Sequence, residues 1–462
     1  MDSVPTRAAP PAPPVPRRRL LLAVMCTGMF LVQLDVTVVN VALPAIRDGL
    51  GAGLAGQQWV VDGYSVVLAS LLLTGGALGD RFGHGLLVVS GMALFGVASL
   101  ACGLAPGAGV LVAARAVQGV GAAMLLPCTL AVITHAFPGR AEQARAIGVW
   151  SGISALALPA GPPLGGALVS ALGWRSVFLI NVPITVLAVP AVLGLARGVR
   201  GEHVRRLDVP GSALVAVALA ATVYAVIEGG SRGSELAWAA LAAAVLSGVA
   251  FLARERAAAE PLLPPALLRN RPFVSANLVA AAMNGVGVGT IFIATLYLQT
   301  VQHRSALLGG ALLVPLFAPL AALAPVTGRI TARWGPRPPV LAGLVVGGLG
   351  SAALCGLEPG SGYARFLPVL LGVGAGMGLI TAAVISAAVG AVPAERAGLA
   401  SGANNTARLA AGSLGVAIYG AVTGAPSDPV GFTGGLHLVG AGAAALWAAC
   451  LVVAWFALRR TA

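Results

Sequence analysis

Gly76-Ala77-Leu78-Gly79-Asp80-Arg81-Phe82-Gly83 returns as Gly328-Arg329-Ile330-Thr331-Ala332-Arg333-Trp334-Gly335, in register at a constant offset of 252. Each copy fills a short gap between long apolar blocks, so the duplicated unit is a set of apolar segments with its connectors. Such blocks recur from Leu20 to Leu458, and about 20 apolar residues suffice to cross roughly 30 Å of hydrocarbon as a helix. Cutting at charged, Pro-rich and Gly-rich gaps predicts fourteen spans: 20–44, 57–78, 86–104, 109–133, 146–169, 175–195, 210–228, 236–253, 273–300, 306–328, 338–356, 364–390, 400–423 and 436–458. The two copies occupy the connectors after spans two and ten, which are read as short loops. Span one therefore corresponds to span nine, and spans seven and eight stand outside the repeat.

The expected fold is an all-α polytopic membrane protein arranged as six, two and six transmembrane helices. Residues 1–16, rich in Pro and Ala, are read as a disordered cytoplasmic tail. Residues 17–196 and 272–462 form the two six-helix bundles, and 197–271 hold the extra pair with its connectors. Composition points the same way: of 462 residues, 58% are apolar and 9% charged, against about 25% charged in soluble domains. The first apolar run is too long for a secretory leader and is followed by no cleavage signal, so it is retained.

The formal charge of +13 does not indicate nucleic acid, because the arginines sit in gaps between apolar blocks and not on one face with aromatic neighbours. The five cysteines are scattered through apolar sequence without metal-ligand spacing, so neither a disulfide framework nor a metal is expected. The chain contains no lysine and hence no phosphate-cradling Gly-x4-Gly-Lys-Ser/Thr; no hydrolytic constellation is present, and an enzyme is not expected. With the N-terminus cytoplasmic, the inner segments carry 21 arginines, the outer loops 5 and the spans 2. That asymmetry places both termini in the cytoplasm of a multi-pass cell-membrane protein.

Asp35 lies deep in the first span, where an ionised group costs roughly 3 kcal/mol or more and marks an ion or substrate path. Counted along their spans, Asp62 and Arg115 reach comparable depths in the outer half of the N-terminal bundle. Two readings stand: Asp35 takes up a proton that Arg115 helps expel, with Asp62 sharing it, or the three form a permanently satisfied polar cluster. Arg408 either meets an anionic substrate or caps helix carbonyls. Asn40, Gln118, Asn284, Gln299 and Asn404 line a cavity or tie helices together.

Several motifs resemble the major facilitator superfamily, specifically its fourteen-helix drug:proton antiporter branch with its actinobacterial antibiotic exporters. Leu34-Asp35-Val-Thr37-Val-Val-Asn40-Val-Ala42-Leu-Pro44 is similar to that branch's first-helix signature, and Gly76, Asp80, Arg81 and Gly83 to its conformational loop. His84 and Gly85 depart from that loop pattern, where basic residues are usual. Arg115-Ala-Val-Gln118-Gly119-Val-Gly121 looks like the buried-arginine motif. Gly148 with Gly161-Pro162-Pro-Leu-Gly165-Gly166 looks like the antiporter motif, expected to seal the outer side between the halves. Gly173-Trp174-Arg175, Phe178 to Pro183 and Ala400 to Arg408 are further matches, and Trp59 to Tyr64 is similar to methylenomycin-resistance exporters.

The resemblance implies a monomer in the lipid bilayer that exports a small amphipathic drug or antibiotic by alternating access, needing no cofactor beyond the proton gradient. The other functions to be weighed are export of one endogenous metabolite, uptake, a channel, and a non-transporting membrane sensor.

Overall fold

Each predicted block is helical in the computed structural model, which describes residues 15–195, 208–229, 235–258, 264–393 and 396–458, and no strand occurs among them. Hydrocarbon offers backbone amides no water, so a chain this apolar satisfies its N–H and C=O groups within helices. The spans are α1 (Arg17–Leu50), α2 (Leu54–Phe82), α3 (His84–Gly103), α4 (Ala108–Ala136), α5 (Ala141–Leu172), α6 (Ser176–Leu195) and α7 (Pro210–Gly229). They continue as α8 (Glu235–Ala257), α9 (Arg271–Val301), α10 (Ala306–Trp334), α11 (Arg337–Gly356), α12 (Tyr363–Gly390), α13 (Ala397–Thr423) and α14 (Pro429–Ala457). Thirteen are long and apolar enough to cross a membrane. The exception is α13, a helix of 27 residues whose Asn404, Asn405, Thr406 and Arg408 dilute its apolar character. Its packing against α9 and α2 holds it in the bundle.

Polar side chains inside the spans consume their hydrogen bonds locally. Thr37 Oγ1 donates to the Leu34 carbonyl at 3.2 Å, and Asn277 Nδ2 to the Phe273 carbonyl at 2.8 Å, bonds that keep a polar group tolerable in an apolar helix.

The repeat read from sequence is also a repeat of packing. α2 and α10 are offset by 252 residues at both ends. The pairs α1 with α5, α2 with α4, α3 with α4 and α3 with α6 recur as α9 with α13, α10 with α12, α11 with α12 and α11 with α14. The halves meet through α2 against α13 and through its counterpart, α5 against α10. We call the end of the bundle where α1 starts the N-face.

The duplicated motif is not a loop, as the sequence reading had it. Asp80 and Arg81 lie in the last turn of α2, α3 starts at His84, and only Gly83 leaves the helix; Gly335 does so in the second copy. Both glycines have positive φ, 99° and 81°. A side chain there strains the backbone, so Gly83→Ala and Gly335→Ala should each cost about 1–3 kcal/mol, read as a lower melting temperature in detergent. Asp80 Oδ1 lies 3.3 Å from His84 Nε2, so the residue that departs from the usual basic pattern is the one that pairs with the carboxylate. Arg81 stacks on the Phe82 ring, 5.4 Å from its centre.

The extra pair lies beside the α2–α13 seam: α7 packs on both helices, and α8 packs mainly on α7. At the N-face Asp208 caps α7 by accepting from Gly211 N at 3.0 Å, and it accepts from Arg254 Nε at 2.8 Å, fastening α8. The Ser212 and Thr74 hydroxyls, 2.5 Å apart, tie α7 to α2. Of the expected tail, residues 1–14 lie outside the described residues, whereas Val15 and Pro16 already belong to the first helix. The connectors over 197–207 and 259–263 lie outside them too.

Candidate functional site

Arg115 and Gln118 sit three residues apart on α4, which places both on one helix face, aimed at Asp35 on α1. Arg115 Nη1 donates to Asp35 Oδ2 and, at 2.7 Å, to Gln118 Oε1. Gln118 Nε2 donates to Asp35 Oδ1 at 3.0 Å and to Ser99 Oγ on α3 at 2.9 Å. Asn181 on α6 donates to the same Ser99 hydroxyl at 3.3 Å. Arg115 Nε donates to the Val60 carbonyl of α2 at 2.9 Å, and its guanidinium lies over the Tyr64 ring at 4.3 Å and near that of Phe178 at 5.8 Å. Five helices thus converge on one ion pair whose members are each 1% exposed. Both charges are enclosed in protein, and the surrounding donors and acceptors are what make a dry ion pair bearable.

Asp62 is equally buried but stands apart. Its carboxylate lies beside Ser413 on α13, forms no ion pair with Arg115, and neither of its oxygens completes a hydrogen bond within 3.5 Å. The three-member cluster expected of Asp35, Asp62 and Arg115 is therefore a pair plus a separate carboxylate at the seam between halves. One turn earlier on α2, Gln58 Nε2 donates across that seam to the carbonyls of Val416, at 3.2 Å, and Ala417, at 2.9 Å.

The glycines of α5 allow backbone contact on two sides. A Cβ on Gly161 would collide with Thr37 of α1, and one on Gly165 would meet Val38 at 2.9 Å. Gly166 faces Ala306 and Leu307 of α10, and a Cβ on Gly310 of α10 would strike the Pro162 carbonyl. Most of the α5–α10 contact lies in the first turns of α10, at the face opposite the N-face. Gly148 takes no part, since an added Cβ there meets nothing within 4 Å.

Most residues expected to line a cavity join helices instead. Gln118 is 0% exposed within the ion-pair network, and Asn404, also buried, donates to Asn277 Oδ1 at 3.3 Å. Asn284 donates to the Arg408 carbonyl at 2.7 Å, tying α9 to α13, and Asn40 to the Val36 carbonyl at 2.8 Å. Gln299 crosses between halves to the Val41 carbonyl at 3.0 Å. Arg408 is half-buried, and its Nε is enclosed without a partner among the described residues.

The sequence pattern of the Major Facilitator Superfamily matches residues 25–416. The chain is 36% identical over 417 residues to the multidrug resistance protein Stp of Mycobacterium tuberculosis, covering 88% of this chain and 76% of that one. It is also 36% identical to the methylenomycin A resistance protein of Streptomyces coelicolor, covering 88% and 86%. The chain belongs to the major facilitator superfamily. A crystal structure of a bacterial homologue of the human lysosomal transporter Spinster has the same fold, with a TM-score of 0.70 over 96% of this chain and 98% of that one at 18% identity. Facilitators of this superfamily are integral membrane transporters that rock two repeats about a central site. In this facilitator the sequence reading missed Ser99 as a ligand of the network and Tyr64 as the ring beneath Arg115, although Tyr64 closes the Trp59–Tyr64 motif and Asn181 stands in the Phe178–Pro183 match. For Tyr64 the available signal was its place two residues after Asp62 on α2, whereas Ser99 lies on a helix with no Asp, Glu or Arg and nothing in the sequence marks it.

Proposed function

We propose that this facilitator is a proton-coupled antiporter that exports amphipathic drugs or antibiotics, with its N-face in the cytoplasm, working as a monomer whose two bundles rock against each other. The orientation rests on the arginine excess of the segments at that face. The drug class rests on relatives bearing the names of multidrug, tetracenomycin C and methylenomycin A resistance proteins. The observation that carries proton coupling is the Asp35–Arg115 pair, a titratable carboxylate held inside the bundle that links α1 to α4. A proton on Asp35 removes the charge that Arg115 answers. Arg115 then keeps the Val60 carbonyl, Gln118 Oε1 and the Tyr64 face, so the bundle survives the loss and α1 is freed to shift against α4. Asp62, facing the other half without a hydrogen bond, supplies a second carboxylate whose charge reports on the seam. The energy source is the proton gradient, and no cofactor enters the cycle.

The test is transport in inside-out vesicles with an acidic lumen. Ethidium and nalidixate, an amphipathic cation and an amphipathic acid, are offered at the outer face, and drug-driven proton release is followed with a lumenal pH dye. Export coupled to proton release supports the reading. Flux that ignores the proton gradient, or saturable binding with no flux, would replace it with a channel or a sensor. Arg115→Ala should shift the pH dependence of export, and a wild-type pH profile with normal rates would assign Arg115 a purely structural part.

A further inference from the structure

At the N-face end of α14 two surface grooves meet at Phe456. One, between α11 and α14, is wholly apolar and includes Leu341, Val345, Val452 and Trp455. The other, between α14 and the start of α9, is bounded by Arg269 and Arg271 together with Val274 and Ala457. Arg337 stands at the head of the first groove. Its guanidinium stacks on Trp455 at 4.5 Å and donates to the Trp455 carbonyl at 3.3 Å, while its Nε is enclosed with no hydrogen-bond partner among the described residues. Arg271 and Arg337 are also the first residues of α9 and α11, so two helix N-termini add their partial positive charge to the three guanidinium groups. From 272 onward the acidic residues are Glu358, Glu395 and Asp428, of which Glu358 and Asp428 belong to connectors at the opposite face; on the N-face side Glu255 lies in the last turn of α8, and Glu260 and Glu395 lie outside the described residues.

We propose that this corner is a binding site for one anionic phospholipid of the N-face leaflet. Its phosphate lies among Arg269, Arg271 and Arg337, and an acyl chain fills the α11–α14 groove. The arrangement follows the physics of both parts of such a lipid. Arginine presents planar donors suited to phosphate oxygens, and each basic residue near a membrane surface attracts anionic lipid by about a factor of five. Trp455 and Phe456 lie in the last turn of α14, the end of a span at which interfacial aromatic rings collect, and the wholly apolar groove beyond them suits hydrocarbon. A free phosphate would satisfy the arginines and leave that groove unused, so the site commits to a lipid.

The test uses the full chain purified in detergent and analysed by native mass spectrometry with equimolar phosphatidylglycerol and phosphatidylcholine of matched chains. The wild type should retain one phosphatidylglycerol in preference, and each of Arg269→Gln, Arg271→Gln and Arg337→Gln should lower that preference about fivefold. Inorganic phosphate at millimolar concentration should fail to displace the lipid. Equal retention of the two lipids by the wild type, an unchanged preference in all three variants, or displacement by phosphate would overturn the proposal. A second measurement avoids reliance on the folding of variants: phosphatidylglycerol with a photoreactive acyl chain, crosslinked to the wild type in vesicles, should label the segment containing Val452 to Phe456. Labelling spread evenly over the lipid-facing helices would also overturn it.

Discussion

Asp35→Asn is expected to stop proton-coupled export while leaving the protein folded in the membrane. Asparagine keeps the size of the side chain and, through its carbonyl, one acceptor for Arg115 or Gln118; what it removes is the titratable charge. Stripping a buried cation of its partner costs about 3–5 kcal/mol when nothing else answers it. Here the Val60 carbonyl, Gln118 Oε1 and the Tyr64 ring remain, so the loss of stability should fall well below that range. Drug-driven proton release in inside-out vesicles should drop to the level of vesicles lacking the protein, with the amount of protein in the membrane unchanged. The double variant Asp35→Asn with Arg115→Gln separates the two roles of the pair. It buries no charge and should melt at or above the temperature of Asp35→Asn, yet remain uncoupled. Coupled export retained in Asp35→Asn would remove this carboxylate from the cycle and leave Asp62 as the carrier.

Much of this was legible in the chain because hydrocarbon is a demanding solvent. It forces apolar blocks of spanning length, and a duplicated connector then counts the helices on either side of it. Charges inside such blocks are so few that Asp35 and Arg115 stand out, and no other intramembrane cation lay in the same half to answer the carboxylate. What stayed hidden was direction. A helix that is apolar all round carries no stripe to say which side faces its neighbours, so Asp62 was grouped with the ion pair although its side of α2 meets α13. The amides were ambiguous for a related reason: Gln118, Gln299 and Asn404 have the composition of cavity walls, and only packing reveals them as ties between helices. Gly76 to Gly83 misled through its own content, because glycine and charge usually announce a loop, whereas here they end one helix and start the next around a single residue of positive φ.

Gly310→Val should abolish transport by holding α5 and α10 apart. Gly310 approaches the Pro162 carbonyl so closely that even a methyl group would collide with it, and main chain cannot swing aside as a flexible side chain can. Proline at 163 has no N–H with which to reorient that peptide through a new bond. Overpacking of this kind costs about 1–3 kcal/mol. The cost falls on the arrangement in which the two helices touch, so that arrangement should lose about 5- to 150-fold in population against one in which they separate. Because α5 and α10 meet mainly at the face opposite the N-face, separation opens that face. Spin labels on Ser170 and Leu308, exposed residues near the ends of the two helices, should report a longer and broader distance in the variant. Gly148→Val supplies the control: it lies on the same helix with nothing within 4 Å of an added Cβ, and should leave both distance and transport unchanged. An unaltered distance in Gly310→Val together with lost transport would mean that the contact matters for substrate passage and not for closing the bundle. An unaltered distance with normal transport would show that the backbones yield at little cost.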